Sequence, residues 1–137
     1  MIAKSSNPSL IDFPEVGSSA LGYITIAEYQ KSIPFKIKKI YWTYYTPHNV
    51  IRGHHAHKKL EQLIFAVSGV IDFNLENNSG ETFNFKLDKP NRGLYIPGGF
   101  WRTVKLSHNA VLLCLASTEY DESDYIRDFS EFKKRKK

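Results

Sequence analysis

The chain has 137 residues, 42% hydrophobic and 24% charged, the composition of a globular protein and the length of one domain with its own core. A disulfide scaffold is excluded because Cys114 is the sole cysteine, and no apolar run approaches the roughly 18 residues that span a bilayer. The net charge of +5 equals the five basic residues Lys133, Lys134, Arg135, Lys136 and Lys137, so the body is balanced and nucleic acid is not an expected partner.

Residues 1–14 are polar and interrupted by Asn7-Pro8 and Phe13-Pro14, which predicts an irregular segment without a signal sequence, and a cytoplasmic location is the expectation. Residues 22–28 alternate as a half-buried strand does, and residues 37–45 make a second strand rich in aromatics. After a turn at Thr46-Pro47-His48-Asn49 comes Ile51-Arg52-Gly53-His54-His55-Ala56-His57-Lys58-Lys59-Leu60-Glu61-Gln62, and then the apolar run of a buried strand, residues 63–67. Residues 70–76 and 81–87 alternate with period two around Asn77-Asn78-Ser79-Gly80, which predicts a hairpin. Gly93-Leu94-Tyr95-Ile96 is a short strand, Pro97-Gly98-Gly99 a tight turn, and residues 101–105 a further strand. The unbroken apolar run 111–116 predicts a strand buried on both faces, with Cys114 as core filling. Residues 124–132 are expected to form one or two helical turns or an irregular cover, and residues 133–137 a solvated basic tail. Many short strands at this spacing, with hardly any helix, predict a single all-β domain over residues 1–137, a sandwich or small barrel with an open mouth.

An extended chain through residues 54–58 puts His55 and His57 on one side of the sheet and His54 on the other, with Glu61 joining the pair. Two imidazoles and a carboxylate are the raw material of a metal site or of an acid/base pair. On the preceding strand Tyr41 and Tyr45 share one face and Trp42 and Tyr44 the other, so only one set can line a cavity.

Gly53-x-His55-x-His57 with Glu61 and Gly69 resembles the first cupin motif, and Gly93, Pro97 and Gly99 before Trp101-Arg102 resemble the second. More narrowly, Arg52-Gly53-x-His55-Ala56-His57-Lys58-Lys59-Leu60-Glu61-Gln62, Gly93-Leu94-Tyr95-Ile96 and Asp121-Glu122-x-Asp124-Tyr125-Ile126-Arg127 resemble the dTDP-sugar 3,4-ketoisomerases, the WxcM-like branch of the cupins. The resemblance runs from about Phe35 to Phe132. It implies a small jelly-roll barrel of antiparallel strands and an isomerase that converts dTDP-4-keto-6-deoxyglucose into a dTDP-3-keto-6-deoxyhexose. It also implies a homodimer, no cofactor, and a place in making 3-amino sugars of bacterial surface polysaccharides.

A cupin metal site adds a histidine from the second motif, spaced Pro-x-Gly-x-x-His. Here Pro97-Gly98-Gly99-Phe100-Trp101 is followed by Arg102, whose guanidinium offers only donors and repels a cation, so no metal is expected. His108, in a predicted loop, is not a substitute. Arg102 also departs from the family pattern, in which a histidine more often follows the tryptophan. The imidazole pair then serves proton transfer, with His57 as the base at C3 and His55 as its partner in the relay, or the two in the reverse order. Arg52 and Arg102 are candidates to hold the enediolate or the diphosphate. Tyr41, Tyr45, Tyr95 and Trp101 are candidates to bond the sugar or stack on thymine, and Lys58 is a further substrate-binding candidate. Glu61 and Gln62 are expected to orient a histidine, one pointing inwards and the other out. The alternatives are a cupin related to dTDP-sugar 3,5-epimerases and a non-catalytic carbohydrate-binding cupin. Residues 21–26, remote from the motifs, are placed to add to a partner's sheet edge.

Overall fold

The computed structural model describes residues 4–135. Its strands begin with β1 (Ser9–Asp12), β2 (Glu15–Ser18), β3 (Gly22–Thr25), β4 (Lys39–Thr43), β5 (Ile51–His57) and β6 (Gln62–Ser68). They continue with β7 (Ile71–Glu76), β8 (Thr82–Leu87), β9 (Arg92–Ile96), β10 (Trp101–Leu106), β11 (Val111–Ala116) and β12 (Tyr125–Ile126), before helix α1 (Phe129–Lys134). One five-stranded sheet has the order β1-β9-β6-β11-β4, a second the order β12-β5-β10-β7-β8, and β2 pairs with β3 alone. All these pairings are antiparallel, as the predicted all-β jelly roll requires, here as two sheets facing one another.

Alternation along each strand builds the layer between the sheets. Ile64, Ala66, Leu94, Ile96, Leu112 and Cys114 meet Ile71, Phe73, Leu75, Leu87, Val104 and Leu106 there. The outer face of the first sheet is also apolar: Leu63, Phe65, Tyr95 and Leu115 are covered by Phe13, Ile33 and Phe35. On the outer face of the second sheet, Ala56 and Trp101 pack against Ile126 and Phe132.

Several expectations change. The stretch 1–14 is not wholly irregular, because Ser9–Asp12 pairs with β9 as an edge strand; its Pro8 and Pro14 fall outside the ladder, and Phe13 is buried on the sheet. Residues 1–3 lie outside the described residues. The strand predicted over 22–28 covers only Gly22–Thr25 and is exposed rather than half-buried, since its partner is β2 and not either large sheet. At the other end Lys133 and Lys134 belong to α1, and Lys133 Nζ binds Glu76 at 2.8 Å, so the basic tail is not simply solvated; Lys136 and Lys137 lie outside the described residues.

The 51–57 strand is interrupted by a β-bulge. Arg102 of β10 pairs with His55, but the next residue, Thr103, pairs with Gly53, which leaves His54 without an opposite number. Gly53 has φ +94° and His54 φ +57°. The odd residue flips the parity of everything before it, so Arg52, opposite the inward-facing Val104, lies on the same face as His55.

Candidate active site

Between the two sheets is a cavity of about 100 Å³ whose polar walls are Tyr41, Thr43, Arg52, His55 and Arg102, on an apolar floor that includes Ile64, Phe73 and Leu112. Strand β5 supplies His55 and, through its bulge, Arg52; β10 supplies Arg102, and β4 supplies Tyr41. His57 lies two residues further along β5, its side chain only 2% exposed and not part of the cavity wall.

The two imidazoles meet edge to face with ring centres 5.0 Å apart. His55 Nδ1 lies 3.0 Å from the Gly53 carbonyl oxygen, so it carries the proton and donates, and Nε2 keeps its lone pair. His57 Nδ1 faces Asp124 Oδ2 at 3.3 Å, at an angle that leaves it short of a formed hydrogen bond. Tyr125 packs on both rings, 4.4 Å from His57 and 5.1 Å from His55. Arg127 lies 4.2 Å from the centre of the Tyr125 ring and is tied to Glu122 by two bonds. Asp124 also accepts from the backbone N–H groups of Lys59 and Leu60, and β12 pairs with β5 through Tyr125 and His57. The segment from Asp121 to Ile126 is therefore a brace along the histidine strand.

Arg102 is buried, at 3% exposure. Its Nη1 donates to Gln62 Oε1 and its Nη2 reaches the Phe100 carbonyl at 3.4 Å, while Nε has no partner. Among the described residues no carboxylate stands within ion-pair distance of it. Gln62 Nε2 donates onward to the Tyr41 oxygen at 3.0 Å and to Cys114 Sγ at 3.3 Å.

The charges follow from this burial. Loss of solvent, followed by the Arg102 cation, pushes the His55 imidazole down to about 4. The same causes, with His55 as a third, push His57 down to about 2. Both rings are neutral at neutral pH. Burial holds the Tyr41 phenol protonated well past its ordinary range and raises the Cys114 thiol to about 11. A guanidinium has no accessible neutral form, so burial lowers the Arg102 pKa without discharging it.

Other predicted site residues stand elsewhere. Glu61 does not join the histidines: the chain turns between β5 and β6, and Glu61 points to the outer face, where it accepts from Tyr95 at 2.6 Å and from Lys4. Gln62 is the member of that pair that points inwards, and it binds Arg102 rather than a histidine. Tyr95 is opposite Leu63 on the outer face and Trp101 packs on Phe129 and Phe132, so neither lines the cavity. Tyr45 follows the end of β4 with φ +57° and stacks outside on His108. The Lys58 side chain is exposed, and its backbone N–H binds the Asp124 carbonyl. Among the described residues no group of three or more His, Cys, Asp or Glu is arranged to hold a metal ion. Asp124 and Tyr125 are not among the predicted site residues because their contacts to His57 span more than sixty residues of sequence; the signal that could have found them is their place in the string Asp121-Glu122-x-Asp124-Tyr125-Ile126-Arg127, which shares in the family resemblance.

Residues 6–137 match the family model described as FdtA, WxcM-like, C-terminal. A TDP-4-oxo-6-deoxy-alpha-D-glucose-3,4-oxoisomerase from Aneurinibacillus thermoaerophilus is 37% identical over 91% of this chain and 89% of its own. The sugar 3,4-ketoisomerase QdtA from Thermoanaerobacterium thermosaccharolyticum, solved with TDP, superposes with a TM-score of 0.88 at 35% identity, over 93% of each chain. The TDP-quinovose 3,4-ketoisomerase WlaRB from Campylobacter jejuni gives a TM-score of 0.88 at 36% identity, over 96% of this chain and 100% of that one.

Proposed function

The chain belongs to the WxcM-like family and is a TDP-sugar 3,4-ketoisomerase, and from that premise we propose how its cavity moves the ketone of TDP-4-keto-6-deoxyglucose from C4 to C3. The observation that carries the reading is a buried guanidinium without a carboxylate partner beside two neutral imidazoles. A buried cation that nothing neutralises is stabilised when an oxyanion arrives next to it. An enediolate is such an oxyanion.

His55 is the base in this scheme and His57 its support, the second of the two orders that the sequence leaves open. His55 lines the cavity with a free Nε2 lone pair, whereas His57 is sealed behind it against Asp124 and Tyr125. The imidazole takes the C3 proton, which the neighbouring C4 ketone acidifies; the C3–C4 double bond forms and O4 takes the charge opposite Arg102. The O3 proton then passes to O4, the ketone forms at C3, and C4 receives the proton held by the imidazole. Tyr41 donates to a sugar oxygen, and Arg52 meets the diphosphate at the mouth. The negative charge of the bound substrate raises the His55 pKa from its depressed value toward the range that suits proton transfer. The cavity is small, so the reacting end of the hexose enters and the nucleotide stays outside.

Incubation with TDP-4-keto-6-deoxyglucose in deuterated water, with an aminotransferase to trap the product, tests the reading. A 3-keto product without deuterium at C5 is expected. Deuterium at C5 would instead support the epimerase chemistry, and substrate binding without conversion a non-catalytic cupin.

A homodimer is the proposed working form, in the cytoplasm and in the supply of 3-amino sugars for surface polysaccharides. Its support in this chain is the β2–β3 hairpin, whose Leu21 is 90% and Ile24 64% exposed beside an apolar groove of about 650 Å³ that includes Phe65, Val67 and Leu113.

A further inference from the structure

Gln62 opens β6 with its backbone locked between Ile96 and Ala116, and its side chain is 3% exposed. Its amide is fully committed. Oε1 accepts from Arg102 Nη1, and Nε2 donates to the Tyr41 oxygen and to Cys114 Sγ. Chemistry permits one orientation only, because the inverted amide would turn an NH2 group toward a guanidinium that offers nothing but donors. The other contacts of Arg102 are weak: Nη2 is 3.4 Å from the Phe100 carbonyl, and Nε is unpaired. The Gln62 oxygen is thus its main fixed point.

We infer that Gln62 is a positioning residue, which holds the Arg102 guanidinium beside the histidines with its charge intact and, through the same amide, sets the Tyr41 hydroxyl to donate. The ketoisomerase reading supplies only the oxyanion this cation meets; the contacts themselves do not depend on it. The acceptor is neutral, and that is the essential point. A carboxylate in the same place would hold the arginine as firmly but cancel the charge that the reaction uses. The chain carries its carboxylate one residue earlier, at Glu61, and directs it to the outer face. Tyr41 is set by the same amide: its oxygen accepts from Nε2, which leaves the phenolic proton for Cys114 or for a sugar oxygen in the cavity.

The groups that face the histidines are Arg102 from β10, Tyr125 and Asp124 from the brace, and, across the cavity, Tyr41 from β4. Two variants separate the contributions. Gln62→Met keeps length and volume but removes acceptor and donor; kcat is expected to fall about tenfold or more while the affinity for TDP changes less than about threefold. In combination with Arg102→Met it should add much less than its own loss, only the part that acts through Tyr41, since the rest acts through the same guanidinium. Gln62→Glu keeps the acceptor and neutralises the cation, so NMR titration should show the His55 and His57 pKa values rising toward 6.5. Losses that multiply in the double variant, or unmoved histidine titrations in Gln62→Glu, would overturn the inference. If Gln62→Met does not fold, the Gln62→Glu titration decides alone. Because that titration needs no substrate, a shift in Gln62→Glu together with a wild type that makes no 3-keto sugar would refute the functional reading and leave Gln62 in its assigned role.

Discussion

Arg102 sits in a conflict between stability and reaction. A buried ion without a partner costs several kcal/mol in desolvation, and the neutral oxygens of Gln62 and Phe100 offset only part of that. Arg102→Met removes the charge at nearly the same volume, and the Gln62 amide then loses a partner at a cost of about 1–3 kcal/mol. The two changes nearly cancel. Thermal unfolding should therefore show Tm unchanged or higher, while steady-state kinetics show kcat down about 10²–10³-fold, the usual loss when a donor to a developing oxyanion is removed. A destabilisation of about 3–5 kcal/mol would contradict this, because it is the signature of breaking a buried ion pair. At this scale the sequence was informative about identity and less so about aim. The side chains of His55, Arg52, Tyr41 and Arg102 do converge, but Tyr95, Trp101 and Glu61 do not, since each lies at a parity that faces outward. Parity counted along one strand does not survive a turn, and Glu61 is separated from the histidines by the turn at residues 58–60.

Strand β5 shows why the arrangement depends on an element and not on its residues singly. Strict period two from His55 would send Arg52 to the opposite face, and the bulge at Gly53 and His54 returns it to the cavity. Glycine is required there: at φ +94° a side chain is strained, and a Cβ would come within 2.8 Å of the Arg102 carbonyl oxygen. Gly53→Ala should cost about 1–3 kcal/mol in stability through that backbone strain. It should also raise the KM for the nucleotide sugar more than it lowers kcat, because Arg52 moves further than His55, which remains paired to Arg102. An unchanged KM with an unchanged fold would show that Arg52 does not meet the diphosphate. The β7–β8 hairpin was legible because its alternation and its Asn-Asn-Ser-Gly turn agree. The bulge was not legible, since one glycine before a histidine has the same composition in a regular strand. Strand β1 was hidden for a different reason: its polar residues and flanking prolines read as loop, and only the partner β9 makes it a strand.

For the whole molecule, the apolar β2–β3 hairpin and the two depressed histidines each set a condition on the folded state. The hairpin makes no pairing with either large sheet of its own chain, so a second copy is its expected cover, and sedimentation should find a dimer at micromolar concentration. Leu21→Glu with Ile24→Glu should weaken that dimer at least tenfold, about 1.4 kcal/mol; a monomeric wild type would end the proposal. The histidines set the pH limit. Folding lowers His55 from 6.5 to about 4 and His57 from 6.5 to about 2, so between pH 6.5 and 4 the unfolded chain binds protons that the folded chain refuses. Stability from this source is complete above about pH 6.5 and declines as the pH falls through that window. Carboxylates held low by their partners, such as Glu122 under the bonds from Arg127, lose their contribution only below their own unfolded value of 4.5. The interval from pH 6.5 to 5 therefore isolates the histidines. Denaturant midpoints of the wild type should fall across it, and those of the His55→Asn, His57→Asn double variant should fall much less. Equal slopes in the two proteins would show that neither imidazole is held neutral by the fold, and with that the reason for a poised base beside a buried cation would be gone.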